Sequence, residues 1–192
     1  MNESKSAKEN IKLIYIAFIS SFVLLFFASK FCFSEFPNKN NIIELKGILK
    51  ENIKIKKGRS GRRTLIIKLQ KYPKIDFNIG NVSLRQTNEQ KLLGDKKSGD
   101  SINFFIGNKE YRRKILKTER IPFPENYLHP EQINVVEINN KNFSYLSLEG
   151  YNKEHKENNY LAIIFFGFFG LLMFFLGIKG IKHQNRHFKL RT

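Results

Sequence analysis

The sequence predicts a membrane protein in which two transmembrane α-helices bracket a mainly-β (α+β) domain, a small OB-like or SH3-like barrel with one short helix. Two observations lead to this fold class. Residues 13–33 and 160–178 are apolar stretches close to the roughly 20 residues that a helix needs to cross a bilayer. The chain between them is polar, and its apolar residues recur at every second position, as in half-buried strands.

These patterns divide the chain into six segments. They are a basic N-terminal segment (1–12), a first transmembrane helix (13–33), an extramembrane domain (34–148), a polar connecting helix (149–159), a second transmembrane helix (160–178) and a basic C-terminal tail (179–192).

The first span has the basic start of a secretory signal peptide, but its apolar run exceeds the roughly 7–15 residues of such signals. No convincing small-residue cleavage site follows it, so we expect an uncleaved anchor. Cys32 is the only cysteine and lies where this span meets water, so no intrachain disulfide is available and an inert thiol is expected.

Small residues mark one face of each span. Ala17, Ser21 and Ala28 share a face of the first span, and Gly170 and Gly177 share a face of the second. Small side chains let helix backbones approach closely in lipid. The sequence therefore predicts that these two faces pack together, either within one chain or between the chains of a homo-oligomer.

The basic residues predict the topology. The tail carries five Lys and Arg residues and no acidic residue, which is typical of a cytoplasmic segment. Two spans place both termini on the same side, so we expect cytoplasmic termini and an extracytoplasmic domain. Long loops translocate largely regardless of their charge, so the basic domain does not oppose this arrangement.

The first half of the domain is predicted to form three strands. Within 45–55 the odd positions are mostly apolar and the even positions are mostly lysine, which indicates one lysine-lined face. A glycine-rich turn at 58–61 leads to a returning strand at 65–69. After a turn at 72–74, residues 75–79 alternate perfectly.

The second half is predicted to contain one helix and two hairpins. Ser83 and Gln86 have the spacing of a capping box and Gly94 suits a helix end, so a short helix is expected between them. Residues 102–106 and 111–116 form the first predicted hairpin. A proline-rich loop begins at 121–124 and ends near His129, and after it residues 133–138 and 143–148 form the second hairpin. Three strands, a helix and further strands follow the order of an OB-type barrel.

The sequence carries no strong catalytic or metal-binding pattern. It has no Walker-type phosphate-binding loop and no nucleophile elbow. His183 and His187 have helical spacing but lack a third ligand, and His129 and His155 have no evident partner. We therefore expect a non-enzymatic protein without a cofactor or metal.

Positive charge is the strongest chemical feature. The chain has 34 Lys and Arg residues against 17 Asp and Glu, a net charge of +17. One basic group surrounds the first hairpin and a second, which includes Lys114, lies within 109–120. The residues predicted to bind an anionic ligand or partner are Lys54, Lys56, Arg59, Arg62, Arg63, Arg112 and Arg113.

Together these features predict an integral protein of a bacterial inner (plasma) membrane whose basic domain docks a protein partner, an anionic lipid or an envelope polymer. An extracytoplasmic domain argues against nucleic acid as the partner. In the alternative, the domain faces the cytoplasm and its basic hairpin binds nucleic acid or acidic lipid. A solvated basic face that only keeps the domain soluble is the simplest competing interpretation.

Overall fold

The computed structural model describes residues 2–58, 61–140 and 143–189, and the side chains of these residues except 2–8 and 185–189. The chain divides into a helical unit, built from its two ends, and a sheet unit, Phe36–Lys156. Two long apolar helices thus flank a domain built on a mixed sheet, as predicted.

The two long helices are α1 (Asn2–Cys32) and α6 (Leu148–Lys189). Each is long and apolar enough to cross a membrane. Many of their large apolar side chains lie on the surface; Phe22 and Leu161 are each 66% exposed. A continuous exposed apolar surface of this kind marks a site of interaction with a membrane or with another protein. The predicted connecting helix and second span form one continuous helix, whose polar first part, 148–159, precedes the apolar stretch.

The small residues of α1 and α6 lie at a close contact within the helical unit. The Ser21 hydroxyl donates a 2.8 Å hydrogen bond to the Gly170 carbonyl oxygen. A Cβ at Gly170 would come within 2.9 Å of the Leu25 side chain, and one at Gly177 within 2.9 Å of the Phe18 ring. Ala28 is buried and Ala17 is half-buried. These contacts join α1 and α6 within one chain.

The sheet unit contains seven described strands in the order β1-β5-β6-β4-β3-β2, with β7 paired to β6. Among these described strands, β4 and β6 are the one pair that runs in parallel. The strands are β1 (Ile42–Ile48), β2 (Lys54–Lys57), β3 (Arg63–Ile67), β4 (Asp76–Ile79), β5 (Ser101–Gly107), β6 (Gln132–Asn140) and β7 (Phe143–Leu146).

The sheet is open, so the predicted closed barrel is not seen. Strands β1 and β2 lie at the two ends of the strand order. Beyond β1, the single residue Leu49 forms an antiparallel bridge with Leu69, beyond β3. This single bridge links the continuation of β1 to that of β3 without making a continuous ladder.

The core confirms most of the predicted alternation. Ile102, Phe104 and Ile106 of β5 are at most 2% exposed, and Leu65, Ile67 and Leu69 are fully buried. The perfect alternation predicted for 75–79 is wrong, because Asn78 is also buried. Strand β4 has a neighbour on each side, and three consecutive buried residues show that both of its faces are covered.

Two predicted elements differ in the structure. The single helix expected from Ser83 to Gly94 is instead two short helices, α2 (Asn81–Leu84) and α3 (Glu89–Asp95). Ser83 lies inside α2 and is not a helix cap. The Asn88 side chain caps α3 by accepting a 3.2 Å hydrogen bond from the Lys91 amide.

The strand predicted at 111–116 is wrong. This segment is helical: α4 (Asn108–Glu110) continues into a π-helical turn, Tyr111–Ile115. Strand β5 already pairs with β1 on one side and β6 on the other, so no edge remains for a further strand. A further helical turn, α5 (Glu125–Leu128), lies in the predicted proline-rich loop.

Candidate functional site

The candidate site begins at the hairpin formed by β2 and β3. Its described basic side chains are all exposed, and β2 is an end strand of the sheet. The turn closes through a 2.7 Å hydrogen bond from the Gly58 amide to the Arg62 carbonyl oxygen, and Gly61 has a φ of +72°, a conformation that favours glycine. Arg59 lies outside the described residues.

Charge within the hairpin is only partly neutralised. Lys54 pairs with Glu51, and Arg63 pairs with Glu89. Lys57 lies directly opposite Arg63 across the strands, where like charges destabilise a sheet. Among the hairpin residues with described side chains, Lys56, Lys57 and Arg62 form no ion pair.

The electrostatics of Glu51 follow from this positive charge. The hydrogen bond from Lys54 lowers the pKa of Glu51 below its ordinary value, and the charges of Lys54, Lys68 and Lys50 act in the same direction. The base of the hairpin therefore has a positive potential that stabilises a carboxylate.

An open groove of about 520 Å³ lies beside the hairpin. It is polar, and two guanidinium groups, several amides and one carboxylate line it. Its lining residues are Arg63, Arg85, Gln86, Thr87, Asn88, Glu89 and Gln90. The Arg85 side chain is 67% exposed, so its donors are accessible to a ligand. Guanidinium groups bind carboxylates in a planar, bidentate geometry.

The first turns of α6 support this groove from beneath. Glu154 is only 7% exposed, and it accepts a 2.9 Å hydrogen bond from the Gln86 amide nitrogen. The Arg85 guanidinium lies 3.5 Å from the other Glu154 oxygen. Gly150 permits a close approach, because a Cβ there would lie 3.1 Å from Gln86. Glu154 thus holds both Arg85 and Gln86 in position.

A second contact joins α6 to the short helix α2. The His155 Nε2 atom lies 3.0 Å from the Ser83 hydroxyl, and its ring stacks on Tyr151 at 4.2 Å. Burial lowers the pKa of His155, which precedes the apolar part of α6. The expectation that His155 has no partner is therefore wrong. Ser83 is 2% exposed, so a substrate has no access to its hydroxyl and the pair has a packing role.

The second predicted basic group is partly neutralised by nearby acidic residues. The Nε atoms of Arg112 and Arg113 lie 2.9 and 3.7 Å from the two carboxylate oxygens of Glu119. The helical conformation of this segment brings both arginines to one acid. The structure places this group on the connection between β5 and β6, apart in sequence from the hairpin.

Lys114 is not a surface residue. It is 6% exposed and pairs with Glu125, while Glu110 lies 3.7 Å away and the Gln132 carbonyl oxygen accepts a hydrogen bond from it. Glu110 also accepts a 2.8 Å hydrogen bond from the Asn134 amide. Burial raises the pKa of Glu110. Burial, with Glu110 nearby, raises the pKa of Tyr151 to about 12.

In the part of the chain that the structure describes, no three His, Cys, Asp or Glu residues come together as a metal site. Comparison of the chain with models of known families and with curated proteins finds no match. The hairpin and the groove are therefore the features of the molecule that bear on its function.

Proposed function

We propose that this chain is a non-enzymatic, membrane-anchored docking protein that binds an acidic segment of a partner protein. The hairpin and the adjacent groove form the docking surface. The observation that carries the proposal is the set of exposed, unpaired cations Lys56, Lys57 and Arg62 beside a groove that contains two arginines.

The groove favours a protein ligand over a diffuse anionic surface. Arg63 pairs with Glu89 and Arg85 with Glu154, so each of the two lining arginines is oriented by a carboxylate. Fixed guanidinium groups select for individual carboxylates in defined places, whereas a lipid headgroup layer needs only net positive charge. The polar lining between them offers amide donors and acceptors to a peptide backbone.

In the proposed topology, α1 and α6 cross the bacterial inner (plasma) membrane and both termini are cytoplasmic. The acid-free basic tail supports this orientation. The sheet unit is then extracytoplasmic, where an envelope protein is the available partner.

We also propose that the sheet unit is of the OB type, which is a partly open Greek-key barrel. Support comes from the helices between β4 and β5, from the parallel pairing of β4 with β6, and from the bridge between Leu49 and Leu69. In this fold the connection between the first strands is a common ligand-binding loop. In this assignment β1 and β2 together correspond to the first strand of the fold and β3 to the second, so the basic hairpin of β2 and β3 occupies that connection.

Charge reversal tests the docking surface. The triple variant Lys56→Glu, Lys57→Glu, Arg62→Glu, as the full chain in nanodiscs, should bind a fluorescent glutamate-rich peptide about tenfold more weakly. This estimate combines about 0.2–1 kcal/mol for each exposed pair with about 1.4 kcal/mol per tenfold in affinity. Binding by the unmodified chain should also weaken with added salt.

The matched control changes the same net charge elsewhere. Lys39→Glu, Lys74→Glu and Lys153→Glu replace three other exposed lysines of the sheet unit. Equal weakening by both triple variants would show that only net charge matters, and would contradict a defined docking surface. Tighter binding of a single-stranded oligonucleotide than of the peptide would favour the nucleic-acid alternative.

A further inference from the structure

The sheet unit exposes an apolar turn that the docking surface does not use. Within this turn Phe123 is 80% exposed, Tyr127 77% and Leu128 64%. The Phe123 and Tyr127 rings pack edge to face with centroids 6.2 Å apart. Two aromatic rings and a leucine that face solvent side by side form a patch typical of an interaction surface.

The turn has a rigid base. Glu125, in α5, pairs with buried Lys114, which is itself fixed by Glu110 and by the Gln132 carbonyl oxygen. Backbone hydrogen bonds from Asn126 to Pro122 and from Leu128 to Pro124 close the helical turn, at 3.2 and 3.1 Å. The apolar side chains are therefore presented on a supported turn.

We propose that this turn inserts into the headgroup region of the bilayer that anchors the chain. Phe, Tyr and Leu beside basic residues are the composition of segments that lie in a membrane interface. Exposed Lys117 and Arg120 precede the turn and complement anionic headgroups. A tyrosine suits this depth because its ring is apolar and its hydroxyl remains hydrated.

Chain connectivity favours the bilayer over a separate protein as the occupant. Only residues 33–41 separate α1 from β1, and at the other end α6 runs without a break from the sheet unit into the apolar stretch. With connections this short, the bilayer is at high effective concentration for any apolar group of the sheet unit. The inference rests on the proposed membrane anchoring and is independent of the ligand of the hairpin.

Tryptophan fluorescence gives a direct test, because the chain contains no tryptophan. Phe123→Trp would place a single reporter in the turn. Ile48→Trp is the matched control: Ile48 is 46% exposed and pairs with Ser101, at the opposite end of β5 from the connection that carries the turn. Phe168→Trp reports on the α6 span.

Each full-length variant would be reconstituted in phosphatidylcholine–phosphatidylglycerol vesicles whose lipids carry bromine either near the headgroups or deep in the acyl chains. We expect Phe123→Trp to show blue-shifted emission and to lose fluorescence mainly with the shallow bromine. Phe168→Trp should lose fluorescence mainly with the deep bromine, and Ile48→Trp with neither. The reporter always faces the bilayer to which its own chain is attached, so the orientation of the protein in the vesicle does not affect the result.

The outcomes separate the two proposals. If Phe168→Trp is quenched and Phe123→Trp behaves like Ile48→Trp, the interfacial turn is overturned and the anchoring stands. If Phe168→Trp is unquenched by either lipid, the anchoring itself fails. Tyr127→Trp provides a second reporter in the same turn if Phe123→Trp does not fold.

Discussion

Lys114 belongs to a basic stretch of the sequence but lies in the interior of the sheet unit. It is buried, and two glutamates and a backbone carbonyl surround its ammonium group. A buried charge is tolerated only when it is paired and hydrogen-bonded. Lys114 therefore contributes to the position of α5 and not to anion binding.

Replacing Lys114 should be strongly destabilising. Lys114→Met leaves Glu110 and Glu125 without their common counter-charge, and breaking a buried pair typically costs about 3–5 kcal/mol. Both glutamates retain some contact with water, so the lower end, about 3 kcal/mol, is expected. Chemical denaturation of the full chain in detergent would measure it. Exposed Lys74→Met is the control and should change stability by no more than about 0.5 kcal/mol.

The pH dependence of this variant has a definite sign. In the native protein, burial raises the pKa of Glu110 above its ordinary value of 4.5. Protonated Glu110 therefore stabilises the folded state, and this contribution is lost as the pH rises through the raised pKa. Without Lys114 that pKa rises further. The stability deficit of Lys114→Met should therefore shrink as the pH falls towards 4.5. A deficit independent of pH would contradict the electrostatic explanation.

At the residue scale, the sequence predicts apolar burial better than polar contacts. The burial of Leu65, Phe104 and Ile106 follows from a local period of two. The partners of Lys114, Ser83 and His155 cannot be predicted from a local pattern, because each contact joins segments that meet only after the sheet forms. The Tyr151–His155 stack is a spacing of four on a predicted helix, which is a signal that the sequence does contain.

The pairing of α1 with α6 depends on three glycines that leave room for side chains of α1. Gly170, Gly177 and Gly180 each lie where a Cβ would approach Leu25, Phe18 or Ile14 within 3 Å. Backbones that approach this closely gain van der Waals contact, which drives helix association in lipid.

A leucine at Gly170 should separate the two helices. The side chain would collide with Leu25 and displace the hydrogen bond from Ser21. We expect Gly170→Leu to lower the thermal stability of the full chain in detergent. Gly167→Leu is the matched control, because a Cβ at Gly167 meets no atom within 4 Å. Equal melting temperatures for the two variants would argue against the observed pairing.

Element boundaries follow from how the sheet is assembled. The lysine-lined strand predicted at 45–55 is divided into β1 and β2. The amide of Leu49 donates to Asp100, beyond β1's neighbour β5, whereas that of Lys50 donates to Lys68, beyond β3. The chain thus changes its pairing partner within two residues, and a local pattern cannot reveal that change. The strand predicted at 111–116 is wrong for the same reason: strand pairing is set by the assembled sheet, whose order leaves β5 without a free edge.

The lysines of β2 also protect an end strand of the sheet against pairing with other chains. Charged side chains on an end strand discourage pairing with other chains. Charge reversal keeps that strand charged, so the triple glutamate variant should remain monodisperse while its binding weakens. Alanine substitutions would change both properties at once.

On the scale of the whole molecule, the distribution of charge and apolar surface defines the protein. The helical unit has exposed apolar surface along two long helices, and the sheet unit, Phe36–Lys156, has 25 Lys and Arg residues against 13 Asp and Glu. The sequence predicted this division correctly, because length and composition alone determine it. The groove was not predictable, because residues of the hairpin, of the segment 85–88 and of α3 line it together.

The sidedness of the membrane tests this organisation most directly. Single cysteines would replace Lys74, in a turn of the sheet unit, or Lys182, in α6 after the apolar stretch, in a Cys32→Ser background. Intact cells would be treated with a membrane-impermeant thiol reagent. We predict that Lys74→Cys is labelled in intact cells and that Lys182→Cys is labelled only after the cells are opened. Labelling of both positions in intact cells, or of Lys182→Cys alone, would contradict a twice-spanning protein with an extracytoplasmic docking domain.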